Sequence, residues 1–229
     1  MARISPWDGF PSTRETTDRN GKRCFIVKPR VLTPQRARIA EFCSRGVAAA
    51  LMVGGFIYFS KYLPDAELWV WIVVTFFPWI FRSVFRDLIG GLISKKTKIV
   101  LTESTFEIHG LVGRRVFDRT LDHSLSLFNH DLAEAEMRSH EFEVRKAATR
   151  GKTIRKTPYF ADSAVVSFDY LGQRNDVLSV YPKVTAHVVL TRLQACDATL
   201  NRQIGSGDGF ATGPSDQWRA QPGDLPDDE

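Results

Sequence analysis

GVAAALMVGGFIYFSKY (Gly46–Tyr62) and LWVWIVVTFFPWIF (Leu68–Phe81) are two apolar runs a few residues apart. The first holds no charge until Lys61, and the second none until Arg82. A membrane-spanning helix needs about 20 mostly apolar residues, with a range of roughly 17 to 25. Each run reaches that length when extended. Ile39–Arg45 leads into the first, and Arg82–Ile89 continues the second, where long arginine side chains can reach lipid headgroups. Trp69, Trp71, Tyr58 and Tyr62 gather beside the connection, as residues of an interfacial aromatic belt do. Runs this short also occur as buried core helices of soluble proteins. Their closeness and aromatic flanks favour a transmembrane helical hairpin, residues 33–94.

Basic residues set the expected orientation. Arg36, Arg38 and Arg45 are among the many that precede the first run, and Arg82, Arg86, Lys95, Lys96 and Lys98 follow the second. The connection Lys61–Glu67 offers only Lys61, beside Asp65 and Glu67. Lys and Arg in short flanking segments stay cytoplasmic, so both termini are expected there. The first run starts too far from Met1 for a cleavable leader, so the hairpin is expected to be a permanent anchor. The formal net charge of +5 is accounted for by these flanks and gives little support to a nucleic-acid partner. Cys24, Cys43 and Cys196 are widely spaced and form no CxxC pair, which predicts free thiols.

The remaining chain divides by pattern. Residues 1–32 read as a mostly disordered basic arm, in which Cys24–Leu32 forms a short strand or lies on the membrane surface. Thr33-Pro34 is a helix-start signal. Gly46, Ala50 and Gly54 put small side chains on one helical face, which lets another helix pack closely, most simply the second span. Pro78 is expected to kink that second span. From Ile99 onward apolar residues alternate as in strands, through Phe106 and Ile108, Leu125 and Leu127, and Val166, Phe168 and Tyr170. Gly172–Asn175 reads as the loop of a hairpin leading to Val177–Tyr181. Pro182 opens a closing amphipathic helix with Ala186, Val189, Leu193, Cys196 and Leu200 on one stripe. This gives a β domain over 95–203, with an insertion at 129–160, and a disordered acidic tail over 204–229.

Within the insertion, Asp131–Lys146 reads as an exposed helix. Arg145, Lys146, Arg150, Lys152, Arg155 and Lys156 form a basic run at and beyond its end. Such a cluster is either a solvated loop that balances the acids upstream or a contact for anionic headgroups. No aromatic residues are interleaved for base stacking, so nucleic acid is not expected.

Catalytic patterns are absent from the sequence. His130/Glu134 and Glu136/His140 are i,i+4 pairs on different helical faces, not one converging metal site. Gly151-Lys152-Thr153 resembles the end of a phosphate-binding loop, but Lys146 stands where that motif needs glycine. No nucleophile elbow is recognisable. No enzyme activity, cofactor or metal is expected.

Two adjacent spans, the juncture and strands SKKTKIVLTESTFEIHGLVGRR (Ser94–Arg115), and a terminal helix resemble the bacterial membrane proteins that carry a pleckstrin-homology (PH)-like domain. The resemblance covers roughly residues 46–203. It implies a strongly bent antiparallel sheet or small barrel capped by the C-terminal helix, with no catalytic residues to carry over. The insertion 129–160 departs from a compact version of that fold.

The fold class expected is therefore an α+β membrane protein: an N-terminal transmembrane hairpin, then a PH-like β domain capped by a helix. The expected role is a non-enzymatic anchored scaffold in the bacterial inner membrane, serving a protein partner or anionic lipid. The alternative is an accessory subunit of a larger inner-membrane machine, such as a secretion, conjugation or division assembly.

Overall fold

The computed structural model describes residues 5–18, 21–62, 67–110, 113–154 and 158–207. Strands β1 (Ser12–Thr17), β2 (Arg23–Lys28) and β3 (Arg30–Val31) come first. Helices α1 (Pro34–Tyr62), α2 (Leu68–Ile80) and α3 (Arg82–Ile93) follow. Strands β4 (Lys95–Lys96), β5 (Lys98–Leu101), β6 (Thr105–His109), β7 (Arg114–Asp118) and β8 (His123–Asn129) lead to helix α4 (Ala133–Ala148). Strands β9 (Ala164–Tyr170) and β10 (Gln173–Val180) precede the last helix, α5 (Lys183–Gly207). The molecule is α+β, with a β-rich region and an apolar helix near the N-terminus.

Three antiparallel sheets result, in the orders β1-β2-β5-β6-β7, β10-β9-β8 and β3-β4. The arm expected to be disordered supplies two of the five strands in the first sheet, so residues 95–203 are not the whole β unit. β2 meets β5 with Phe25 opposite Leu101 and Val27 opposite Ile99. All four of these side chains are buried. The entire helical segment is thus a connection inserted between neighbouring strands. It leaves through β3 and returns through β4, where Arg30 stands opposite Lys96 and Val31 opposite Lys95.

The core lies between the two larger sheets and α5. Phe106 and Phe168 stack across it, with centroids 4.3 Å apart and planes 6° from parallel. Ala186, Val189, Leu193, Cys196 and Leu200, the expected stripe, are all fully buried. Completely burying side chains of this size is worth about 1.5–3 kcal/mol each for the larger ones. Trp7 packs edge-on against Phe25 at 4.8 Å, and Arg192 of α5 donates to the Asp8 carbonyl at 3.1 Å. These contacts tie the N-terminal segment to the closing helix.

α1 starts at Pro34, and the Arg36 amide donates to Thr33 Oγ1 at 3.4 Å. At 29 residues it is about 43 Å long. It is the one helix among the described residues that is long and apolar enough to cross a membrane, and only 11% of its most apolar stretch is buried. The chain after the connection is broken in two at Phe81, three residues past Pro78. Phe81 departs from helical geometry with φ of −85° and ψ of 8°, while its amide still reaches the Phe77 carbonyl at 3.3 Å. The donor that Pro78 removes belongs to the turn before it, so the proline does not itself account for a break at Phe81. β9 and β10 are joined by the two-residue turn Leu171-Gly172, shorter than the loop the sequence suggests.

Candidate binding cleft at the base of the helical segment

The basic run does not converge. Arg145 and Lys146 close α4, and Arg150 and Lys152 follow it, all exposed to solvent. Arg145 lies 3.9 Å from Glu141 on the same helix. Arg155 and Lys156 lie outside the described residues, as does the tail from 208 onward. Residues 204–207 continue the backbone of α5.

Gly46, Ala50 and Gly54 point away from α2 and α3, and a Cβ at either glycine would meet nothing within 4 Å. The face that α1 buries is a different small-residue stripe, Ala37, Ala40, Ser44 and Ala48. Both stripes have near-helical spacing, so the sequence alone does not choose between them. The expectation that Gly46, Ala50 and Gly54 receive the following helices is corrected accordingly.

The arginines that converge are those flanking the apolar runs. Glu41, its side chain 12% exposed, accepts from Arg45 Nη2 at 3.0 Å and from Arg82 Nη2 at 2.6 Å. This joins the first turns of α1 to the start of α3. Lower down, Arg36 Nη1 donates to the Ile93 carbonyl at 2.6 Å. Arg86 reaches Asp87 at 3.2 Å. Arg38 makes no ion pair or hydrogen bond among the described residues.

α4 and the segment Pro158–Phe160 form the opposite wall. Between the walls lies a cleft of about 660 Å³, lined by Arg38, Arg45, Arg82 and Arg86 together with Glu41 and Glu136. Both carboxylates are engaged. Glu136 accepts from the amides of Phe160 and Ala161 at 2.6 and 2.9 Å, which pins α4 to that segment. His140 also lines the cleft, and its Nδ1 is buried without a hydrogen-bond partner.

A second cavity of about 590 Å³ adjoins the first and shares Arg86 and Tyr159 with it. Its other walls are largely apolar and include Phe10, Val31, Leu32 and Ala37. Tyr159 packs against Tyr181 at 5.4 Å, and burial pushes both hydroxyls above the ordinary tyrosine range. They remain neutral hydrogen-bond donors at any physiological pH. A further groove holds Lys28, Arg30, Lys96 and Lys98, so the root of the helical segment is basic on more than one side.

The buried polar cluster elsewhere is structural. The Arg119 side chain is fully buried and donates to Asp197, to Asn201 and to the carbonyls of Thr102 and Glu103. His123 Nδ1 faces the Leu121 carbonyl at 2.8 Å and Nε2 faces Asp197 at 3.3 Å. The cluster bolts α5 to the β7–β8 corner.

The isolated i,i+4 pairs also have structural partners. His130 Nδ1 accepts from the Leu132 amide at 3.2 Å, and Glu136 is occupied as described. No group of three or more His, Cys, Asp or Glu residues is placed to hold a metal among the described residues. Cys24, Cys43 and Cys196 are free, and burial pushes the Cys196 thiol up to about 12. Comparison of the chain with protein-family models, curated proteins and solved structures finds no match.

The cleft had a signal in the sequence. Arg38, Glu41 and Arg45 recur at three and four residues, and Arg82 and Arg86 at four, so each set shares a helix face. Only the antiparallel return of the chain brings the two faces together.

Proposed function

We propose that this chain is a non-enzymatic, membrane-anchored binding module. In this reading α1, α2 and α3 form a hairpin that crosses the inner membrane twice, and the β unit is a PH-like domain on the cytoplasmic side. The carrying observation is an apolar surface left uncovered on helices rooted in one folded unit. Leu51, Val53 and Ile57 of α1 and Ile72, Phe76 and Ile80 of α2 are each about half exposed or more. A patch of this extent is unfavourable in water and natural in hydrocarbon. Because β3 and β4 pair, both ends of the hairpin must lie on the same side of any bilayer they enter. The basic groove at that root favours the cytoplasmic side. Two sheets closed by α5 support the PH-like part of the reading.

The domain then serves a protein partner or anionic lipid. The outward face of Gly46, Ala50 and Gly54 favours a second reading, an accessory subunit whose first span receives a helix of a larger machine.

Alkaline extraction tests the anchor: the chain should stay with the membrane pellet. Reporter fusions at Asp65 and Glu229 should read out periplasmic and cytoplasmic locations respectively. Release into the supernatant, or a periplasmic Glu229 fusion, would sink the proposal. Purification in mild detergent separates the two readings, since stoichiometric recovery of machine components favours the accessory subunit.

A further inference from the structure

We infer that the arginine cleft between α1, α3 and α4 binds a phosphate group, carried in place by the headgroup of an anionic lipid. Four guanidinium groups line it against two carboxylates. Those carboxylates are already used, Glu41 by Arg45 and Arg82, and Glu136 by two backbone amides. Glu41 bridges two of the guanidinium groups and Asp87 faces Arg86 at 3.2 Å, which leaves Arg38 to face the cleft with no carboxylate partner among the described residues. Among the described residues Arg38 donates to none, and guanidinium groups present paired donors in the fork geometry that phosphate oxygens match.

His140 adds an independent observation. It lines the same cleft, and its Nδ1 has no hydrogen-bond partner among the described residues. That atom is itself out of reach of solvent, so the ring would have to turn for a ligand oxygen to meet it. The exposed run at Arg145–Lys152 has neither an enclosing wall nor an orphaned polar atom, so it is the weaker candidate of the two.

Position points to the source. Arg45 immediately precedes the first apolar run and Arg82 immediately follows the second. If the hairpin spans the bilayer, that level is where phosphates of the lipid headgroups lie. The apolar cavity sharing Arg86 and Tyr159 then offers room for the less polar part of the same molecule. The lipid source thus rests on the membrane reading. The phosphate cleft does not.

The test uses the full chain in maltoside detergent, titrated calorimetrically with dihexanoyl phosphatidylglycerol and separately with inorganic phosphate. Saturable binding of one phosphatidylglycerol per chain is expected. Arg38→Gln should weaken it about tenfold, and Arg38→Gln/Arg86→Gln about a hundredfold, one decade for each guanidinium removed. Arg38 has no hydrogen-bond or ion-pair partner among the described residues, so its replacement should leave the melting temperature unchanged. Lys152→Gln serves as a control and should bind as the unmodified chain does.

Phosphatidylglycerol binding well above that of inorganic phosphate assigns a lipid headgroup. Equal binding assigns a soluble phosphoester in the same cleft. Absence of saturable binding by either probe overturns the inference, as does binding undiminished in the folded double variant. Alkaline extraction of the unmodified chain is scored separately, so failure of the anchor and failure of the cleft are distinguishable.

Discussion

Arg119 sits in the polar stretch RRVFDRT (Arg114–Thr120), where nothing in its neighbours marks it as buried. Its fork fits a pocket formed by the β5–β6 turn and the last helix, with Asp197 and Asn201 one turn apart on α5. Removing one partner of a buried pair leaves the other charge uncompensated, at a cost of about 3–5 kcal/mol. Arg119→Ala should therefore lower the denaturant midpoint sharply without changing membrane extraction. An unchanged midpoint would show that α5 is held by its apolar stripe alone.

The same cluster gives stability a pH dependence. The Asp197 hydrogen bond holds the His123 imidazole above its ordinary value despite burial, because both ring nitrogens face acceptors and only the charged ring donates to both. Burial pushes the Asp197 carboxyl up, but His123 and Arg119 outweigh it and leave it below the ordinary carboxylate range. The histidine contribution is complete below about pH 6.5 and is lost as pH rises through the raised folded value. The aspartate contribution is complete above about pH 4 and is lost as pH falls through the lowered folded value. Stability from this cluster should peak between those limits. A His123→Gln chain should lose the alkaline decline seen in urea melts of the unmodified chain.

At the scale of elements, α5 and the strands β5, β6 and β9 were legible because each presents a buried face to a large core. Apolar residues there recur at the period of the element. β1 was not legible. Its residues Ser12–Thr17 are polar, and it lies at the sheet edge with most side chains exposed. Its place comes from main-chain pairing with β2, side-chain links such as Arg23 to Glu15, and Trp7. The hairpin between β9 and β10 was legible only in outline. Leu171 has φ of 50° and Gly172 of 75°, the positive pair that a tight two-residue turn requires. A branched side chain in that region costs about 1–2 kcal/mol, and the Leu171 side chain is 58% exposed, so little packing offsets it. Leu171→Asn should stabilise the chain by about 1 kcal/mol and raise the melting temperature by about 2–4 °C. A fall in melting temperature would mean that Leu171 has a packing role the exposure does not suggest.

For the whole molecule, the decisive feature is that the helices interrupt a β unit and do not precede one. β3 and β4 already lie side by side, so the chain can be closed without the hairpin. Replacing residues 33–93 by Asn-Gly should leave a water-soluble, monomeric β protein that retains cooperative unfolding. Removing residues 1–32 in addition should abolish folding, because Phe25, Val27 and Val31 leave the core and β5 loses its neighbour. If the Asn-Gly chain aggregates, the helix bases belong to the core after all. If residues 95–203 fold unaided, the N-terminal strands are an accessory.

The sequence by itself determined the elements whose chemistry is local: the start of α1 at Thr33-Pro34, the apolar helical stretches, the alternating strands and the buried stripe of α5. Hydrophobic periodicity and capping act over one or a few turns, so they can be read from neighbours along the chain. Only the tertiary structure decided the partnership of β2 with β5 across the helical segment, the burial of Arg119, and the gathering of Arg38, Arg45, Arg82 and Arg86 around one cleft. Each of these joins residues far apart in sequence, and pairing a polar edge strand or burying a charge carries no periodic signal. Such features take their free energy from partners that become neighbours only when the chain has folded.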